Sequence, residues 1–201
     1  MRKLEKSLIS RGYSVINIDY PSRKQPIEWL AEENLGPVIA RCRQIPGTKI
    51  HFVTHSTGGI IVRYYLKHHD LPELGRVVML SPPNQGTELV DRFKDNFLFR
   101  AFNGPAGLQM GTEPHSIPLK LGPVDFELGV ITGSQSLNPA ASRLIPGPDD
   151  GVIAVERAKV AGMSDFLVAP ATHTFIMIHR GVIEQVIHFL EHGAFKTAAE
   201  N

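Results

Sequence analysis

KIHFVTHSTGGIIVRYYL, residues 49–66, is the stretch of this sequence that decides the fold. The β-branched and aromatic residues before Ser56 predict a buried strand, and the apolar residues of 58–69 predict a helix directly after it. The pattern around the serine is T-H-S-T-G, with Thr54 at the first and Gly58 at the second glycine position of G-x-S-x-G. A strand-to-helix turn of this kind lifts a serine hydroxyl above the sheet, whereas the alternative is a buried turn serine.

Outward from this stretch, apolar strands alternate with amphipathic helices. Further strands are predicted at residues 13–21, 75–83, 126–134 and 164–170. Helices are predicted at residues 1–10, at 26–44 with a break at Gly36-Pro37, and at 181–193. Apolar strands alternating with helices are typical of a parallel sheet with helices on both faces. We therefore predict an α/β fold in one domain over residues 1–201, with a mostly parallel sheet.

Two of the predicted helices have candidate core residues, and one segment has no sustained period. In the helix over 26–44 the buried candidates are Trp29, Leu30, Val38 and Ile39, and in the last helix they are Ile183, Val186, Ile187 and Leu190. Residues 86–122 are rich in Gly, Pro and Phe. We interpret this segment as a cap-like insertion over the edge of the sheet.

The composition excludes several classes of protein. Lys and Arg number 21 and Asp and Glu number 20, which gives a net charge of +1 and no long run of like charge for binding nucleic acid. Cys42 is the one cysteine, so the chain forms no internal disulfide and has no cysteine cluster for a metal. No Gly-rich phosphate loop follows a predicted strand, which argues against a nucleotide-binding protein. No apolar run is long enough for a membrane span, and residues 1–10 are too polar for a signal peptide.

THSTGG, SPPNQGTELVD, IPGPDDGVIAVE and THTFIM together resemble the bacterial lipase and esterase branch of the α/β-hydrolase family. The resemblance covers nearly the whole chain. It implies a nucleophile, an acid and a base in the chain order Ser, Asp, His, which Ser56, Asp150 and His173 meet. It also implies that the N–H of Thr57 binds the oxyanion, and that no cofactor or metal is required.

The acid has two candidates in the DDG sequence, Asp149 and Asp150. The family motif is Asp-Gly, which favours Asp150, the residue directly before Gly151. A carboxylate on this loop would accept the imidazole Nδ1 proton and fix the tautomer of the base. A helix N-cap is the alternative role for an aspartate here.

His173 is the first candidate for the base, because it follows the predicted strand 164–170 after a short loop. His179 is the competitor, but it lies at or near the last helix. His188 and His192, four residues apart on that helix, lack further ligands for a metal site. For His55 we expect a role in shape rather than in proton transfer, and for Asn84 a role in a turn.

In the family, an earlier strand ends in a His-Gly loop that supplies a second oxyanion N–H, and no such strand precedes Met1 here. We therefore expect an N-terminally truncated α/β-hydrolase fold. Either the sequence is a fragment or has a wrongly placed start, or it is a natural short form with impaired chemistry. A cytoplasmic location is expected only if the start is genuine.

The function expected from the resemblance is hydrolysis of a carboxylic ester or lipid through an acyl-enzyme, with no nucleic-acid partner. Thioesterase or acyltransferase activity uses the same triad, and a non-catalytic interaction module is the rival class. Four phenylalanines of the middle segment would cover an acyl chain or form ordinary core, namely Phe93, Phe97, Phe99 and Phe102.

Overall fold

Four strands form one parallel sheet at the centre of the molecule. The computed structural model describes residues 1–197. Its strands are β1 (Ile50–His55), β2 (Leu74–Leu80), β3 (Leu128–Gly133) and β4 (Asp165–Ala169). They lie in the sheet in sequence order, and each neighbouring pair is parallel. The predicted α/β architecture with a parallel sheet is confirmed, as are the predicted strands at these four places.

Helices connect the strands and cover the sheet. They are α1 (Arg2–Ile9), α2 (Ile27–Trp29), α3 (Gly36–Cys42), α4 (Thr57–His68), α5 (Glu88–Phe93), α6 (Phe97–Leu108), α7 (Ile117–Leu121), α8 (Pro139–Ser142), α9 (Val155–Ala158) and α10 (Arg180–His192). A π-helical segment, Leu30–Leu35, joins α2 to α3, and a 3₁₀ turn, Ile176–Ile178, precedes α10. Within residues 1–197, every helix is too short or too polar to cross a membrane.

The core consists of two apolar clusters, which together surround the central strands. The larger cluster contains residues from α2, α3, α4 and the middle segment, and the other contains residues from α1 and α10. All four core candidates predicted for the last helix are buried, namely Ile183, Val186, Ile187 and Leu190. The prediction for Trp29 is wrong, because its side chain is 39% exposed, while Leu30 and Ile39 are buried and Val38 is half-buried.

The strand predicted at residues 13–21 is absent, and this prediction is wrong. Residues 13–20 have no regular secondary structure and pair with no strand among the described residues. β-Branched residues raise strand propensity, but a strand forms only where a neighbour accepts its backbone hydrogen bonds. Residues of this segment and of β1 line the same groove, and among the described residues no hydrogen-bonded ladder joins them.

The middle segment, residues 86–122, contains α5, α6 and α7, which the sequence did not predict because Gly and Pro interrupt their periods. α6 changes direction at Gly104, which has a φ of +65° and is followed by Pro105. A Cβ at Gly104 would lie 2.3 Å from the Cα of Arg23. Only glycine permits both this backbone conformation and this close approach.

Arg63 fixes this segment to α4. Its guanidinium is buried and donates to the backbone oxygen and the side-chain oxygen of Asn84, both at 3.1 Å, and to the carbonyls of Pro118 and Gly122. Every one of these acceptors is an amide oxygen. Burial lowers the pKa of Arg63 to about 10, which leaves the side chain charged at neutral pH.

We expect Arg63→Met to lower the free energy of unfolding by about 2–4 kcal/mol, because it leaves several buried carbonyls without a donor. Urea denaturation followed by circular dichroism measures the change. Arg180→Met is the control, since Arg180 is exposed and its pair with Glu184 contributes little. A loss for Arg63→Met no larger than that of the control would contradict the anchoring role.

Candidate active site

Ser56 lies between β1 and α4 with a backbone conformation that is rare outside glycine. Its φ is +53° and its ψ is −128°, and it directly precedes the first helical residue, Thr57. The Ser56 N–H donates to the carbonyl of Leu80 at the end of β2. A non-glycine residue in this region costs on the order of 1–3 kcal/mol, which the surrounding structure must offset.

The residues around Ser56 have to be small. A Cβ at Gly58 would lie 3.2 Å from the Tyr20 hydroxyl, and one at Gly59 would lie 3.0 Å from the Met79 sulfur. Thr54 fits at the first glycine position, although within residues 1–197 its buried hydroxyl has no hydrogen-bond partner. These contacts explain why the turn carries the THSTGG sequence.

The structure brings together the three residues that were predicted from distant parts of the sequence. His173 Nε2 lies 3.0 Å from Ser56 Oγ, and His173 Nδ1 lies 2.8 Å from Asp150 Oδ2. The three residues follow β1, β3 and β4, whose carboxyl ends share one edge of the sheet. Imidazole thus bridges a hydroxyl and a carboxylate, an arrangement that permits proton transfer from the serine.

Asp150 is buried and held in its ionised form. Its Oδ1 accepts the N–H groups of Val152 at 3.0 Å and Ile153 at 2.8 Å. Burial by itself raises the pKa of Asp150, but the hydrogen bond and charge of His173, together with smaller contributions from Ser81 and the Ile153 N–H, lower the pKa overall. Ser81, a buried residue at the end of β2 with a φ of +47°, also helps to lower this pKa.

Asp149 and His179, the alternative candidates for the acid and the base, make other contacts. Asp149 accepts the hydroxyl of Ser142 at 2.8 Å and the N–H of Gly151 at 2.7 Å, so it holds its own loop together. His179 lies at the N-terminus of α10, and its buried Nδ1 has no partner among the described residues. The hydrogen bonds described therefore join His173 to Ser56 and Asp150 to His173, whereas Asp149 and His179 take no part in them.

Sequence reasoning missed a specific contact of His55. Its Nε2 donates to the backbone carbonyl of His173 at 2.8 Å, and the two rings lie 4.9 Å apart. Burial, followed by the charge of His173, lowers the pKa of His55 to about 4. His55 is consequently a neutral donor near pH 7 that ties the His173 loop to β1. No sequence signal beyond its position before Ser56 indicates this bond.

Asn84 was predicted to set a turn, but its side chain is also a buried connector. It accepts from Arg63 and donates to the Ala158 carbonyl at 2.8 Å. The rings of His188 and His192 lie 4.4 Å apart and are tilted by 48°, and the His188 Nδ1 donates to the Ala194 carbonyl. Within residues 1–197, no three His, Cys, Asp or Glu side chains are grouped to hold a metal ion.

The phenylalanines of the middle segment divide into two groups. Phe93 and Phe99 contact each other with ring centroids 5.7 Å apart, and Phe99 packs on the larger core cluster. Phe97 and Phe102 are 80% and 66% exposed. Phe99 is thus part of the ordinary core, whereas the rings of Phe97 and Phe102 face outward.

Comparison with solved structures shows the α/β-hydrolase fold. The mature form of a lipase from Bacillus licheniformis aligns with a TM-score of 0.73 and 17% identity, over 94% of this chain and 83% of that chain. A phospholipase from Legionella pneumophila aligns with a TM-score of 0.71 and 15% identity, over 96% of this chain and 56% of that one. A metagenomic carboxyl esterase gives 0.65 and 19%, over 85% and 57%. No protein-family model and no curated protein sequence matches the chain.

The buried neutral His55 makes stability depend on pH. Its pKa is about 4 in the folded state and near 6.5 when unfolded, so only the unfolded chain gains this proton between these values. The free energy of unfolding should fall by up to about 3 kcal/mol as the pH drops from about 6.5 to 4. Urea titrations of the parent and of His55→Gln at several pH values measure it. In His55→Gln the free energy of unfolding should depend less steeply on pH than in the parent. An equal pH dependence in both proteins would contradict the role given to His55.

Proposed function

We propose that the protein is a serine hydrolase that cleaves carboxylic esters through an acyl-enzyme. Ser56 is the nucleophile, His173 the general base and acid, and Asp150 the orienting carboxylate. One observation carries the proposal: the His173 ring lies within hydrogen-bond distance of both Ser56 Oγ and the buried Asp150 carboxylate. The similarity in fold to lipases and esterases supports the same reaction class.

In the first half-reaction, Ser56 Oγ attacks the ester carbonyl while His173 Nε2 accepts the hydroxyl proton. Asp150 accepts the Nδ1 proton, which fixes the tautomer and stabilises the imidazolium that forms. The tetrahedral intermediate collapses, the C–O bond of the ester breaks, and His173 returns the proton to the leaving alcohol. Water, activated by the same imidazole, then cleaves the acyl-enzyme and releases the acid.

The oxyanion would be stabilised at the start of α4. Thr57 is the first helical residue after Ser56, and the first N–H groups of a helix have no acceptor within the helix. The positive end of the helix dipole adds to this stabilisation. Removing one oxyanion donor typically slows turnover by about 100- to 1,000-fold, so the position of the Thr57 N–H matters for the rate.

A fluorophosphonate probe should label Ser56, because the probe reacts only with a serine that a neighbouring base activates. Peptide mass spectrometry locates the adduct. Ser56→Ala should abolish labelling, whereas Ser134→Ala should retain it, since Ser134 lies at the same sheet edge after β3 and its hydroxyl donates to the Ala169 carbonyl. A folded parent protein that fails to react would overturn the proposal.

Hydrolysis of short and long p-nitrophenyl esters, with a thioester alongside, tests the substrate class. We expect turnover of oxygen esters that Ser56→Ala eliminates. Faster cleavage of the thioester would instead support thioesterase activity from the same three residues.

The adjacent aspartates offer a matched pair of variants. Asp150→Asn keeps the oxygen that accepts from Val152 and Ile153 but turns an amide N–H towards His173, which forces the wrong tautomer. We expect kcat for ester hydrolysis to fall about 1,000-fold or more. Asp149→Asn keeps the acceptor for Ser142 and should stay within about threefold of the parent. An equal loss of kcat in both variants would mean that the conformation of the loop, rather than the charge of Asp150, determines the rate.

A further inference from the structure

Ser81, the residue that follows β2, combines a strained backbone with an unpaired buried hydroxyl. Its φ is +47°, and within residues 1–197 Ser56 is the other non-glycine residue with a positive φ. The Ser81 side chain is completely buried, yet among the described residues its hydroxyl makes no well-aligned hydrogen bond. Both features reduce stability, and strain of this kind persists mainly where a function requires it.

The backbone position of Ser81 is fixed between the strands that lead to the nucleophile and to the acid. Its N–H donates to the Ile131 carbonyl of β3 at 2.8 Å, and the preceding residue, Leu80, accepts the N–H of Ser56. Glycine adopts a positive φ without steric cost and would suit this position better. The presence of serine therefore indicates that its side chain has a use.

The Asp150 carboxylate is the group on which the Ser81 hydroxyl acts. Asp150 lies against the end of β3, the strand beside Ser81, since a Cβ at Gly133 would lie 2.9 Å from the Asp150 Cβ. The hydroxyl is near enough to contribute, after His173, to the lowered pKa of Asp150.

The carboxylate has room for one more donor. Its Oδ1 already accepts two backbone N–H groups, from Val152 and Ile153, whereas its Oδ2 accepts from His173 alone. Each carboxylate oxygen has two lone pairs, so Oδ2 can accept a second hydrogen bond.

We propose that Ser81 is a positioning residue of the hydrolase site, and that its hydroxyl donates to the Oδ2 lone pair of Asp150 that His173 leaves free. The inference rests on the proposed hydrolase function and extends the hydrogen-bonded chain to Ser81, Asp150, His173 and Ser56. The hydroxyl does not touch the substrate. It prevents rotation of the carboxylate, which keeps the imidazole aligned with the nucleophile, and it shares the negative charge on Oδ2.

Ser81→Gly separates a functional role from a structural one, because it removes the hydroxyl and also relieves the strain. We expect kcat for p-nitrophenyl ester hydrolysis to fall about tenfold. The midpoint temperature of thermal unfolding should stay that of the parent or rise, since glycine suits the positive φ. A serine with a purely structural role would instead lose activity only in step with stability, and that result would overturn the proposal. If Ser81→Gly fails to fold, Ser81→Ala decides the question.

The pH profile of Ser81→Ala gives a second readout, which a change in packing would not move. Without this donor the Asp150 carboxylate is more basic, so the pH at which kcat/KM falls on the acidic side should rise by about half a unit. The titratable groups near Asp150 are His173, His55 and its chain neighbour Asp149, and the variant retains all three. An unshifted profile would contradict the role given to Ser81.

Thr132→Val is the matched control. Thr132 lies on β3, is completely buried and has a hydroxyl without a partner among residues 1–197, but its φ is not positive. Removal of such a hydroxyl should leave kcat within about threefold of the parent and the pH profile unchanged. A loss and a shift equal to those of Ser81→Ala would show a general effect of packing and would refute the proposal.

Fluorophosphonate labelling of Ser56 distinguishes failure of this inference from failure of the proposed function. If the parent is labelled and hydrolyses esters while both Ser81 variants match it in kcat, the role of Ser81 is wrong and the hydrolase proposal stands. If the folded parent is not labelled, the hydrolase proposal is wrong and the role of Ser81 falls with it.

Discussion

The pairing of Asp150 with His173 is the interaction on which the geometry of the site depends. The two residues are joined twice, because the His173 N–H donates to the Asp150 carbonyl at 2.9 Å and the ring Nδ1 meets the carboxylate at 2.8 Å. The loops after β3 and β4 are thereby locked together. Gly133, at the end of β3, permits this approach, since a Cβ there would lie 2.2 Å from the Ala171 carbonyl oxygen.

The sheet explains how such distant residues meet. Because all four strands are parallel, their carboxyl ends lie at one edge, and loops that leave this edge can converge. Ser56 and Ser81, which follow β1 and β2, are the two non-glycine residues with positive φ among residues 1–197. Strain is therefore concentrated where the strands end, beside the Asp150 carboxylate, which is typical of a functional site.

Much of this arrangement could be predicted from the sequence, for physical reasons. The turn at Ser56 needs small residues and a strand-helix junction, and both leave a local pattern in THSTGG. The choice between Asp149 and Asp150 rested on resemblance, because both precede the same loop and only three-dimensional contacts separate them. The contacts of His55 and Asn84 join residues 118 and 74 positions apart, and local patterns carry no record of such pairs.

The wrong prediction at residues 13–21 has a different cause. Strand propensity describes the fit of side chains to a pleated surface, but the backbone also needs a partner, and that partner lies elsewhere in the chain. The predicted burial of Trp29 was wrong for a similar reason, because the helical period identifies an apolar face without showing which part of the molecule covers it. Residues 13–20 and β1 line the same groove, but among the described residues the segment forms no hydrogen-bonded ladder.

His55 connects β1 to the loop that carries His173. Its side chain donates to the His173 carbonyl, while its backbone belongs to β1, which pairs with β2. The next residue is Ser56, whose N–H is bonded to the Leu80 carbonyl of β2. One strand thus carries the proposed nucleophile and restrains the loop of the proposed base, so the position of both reacting groups depends on how firmly β1 is held in the sheet.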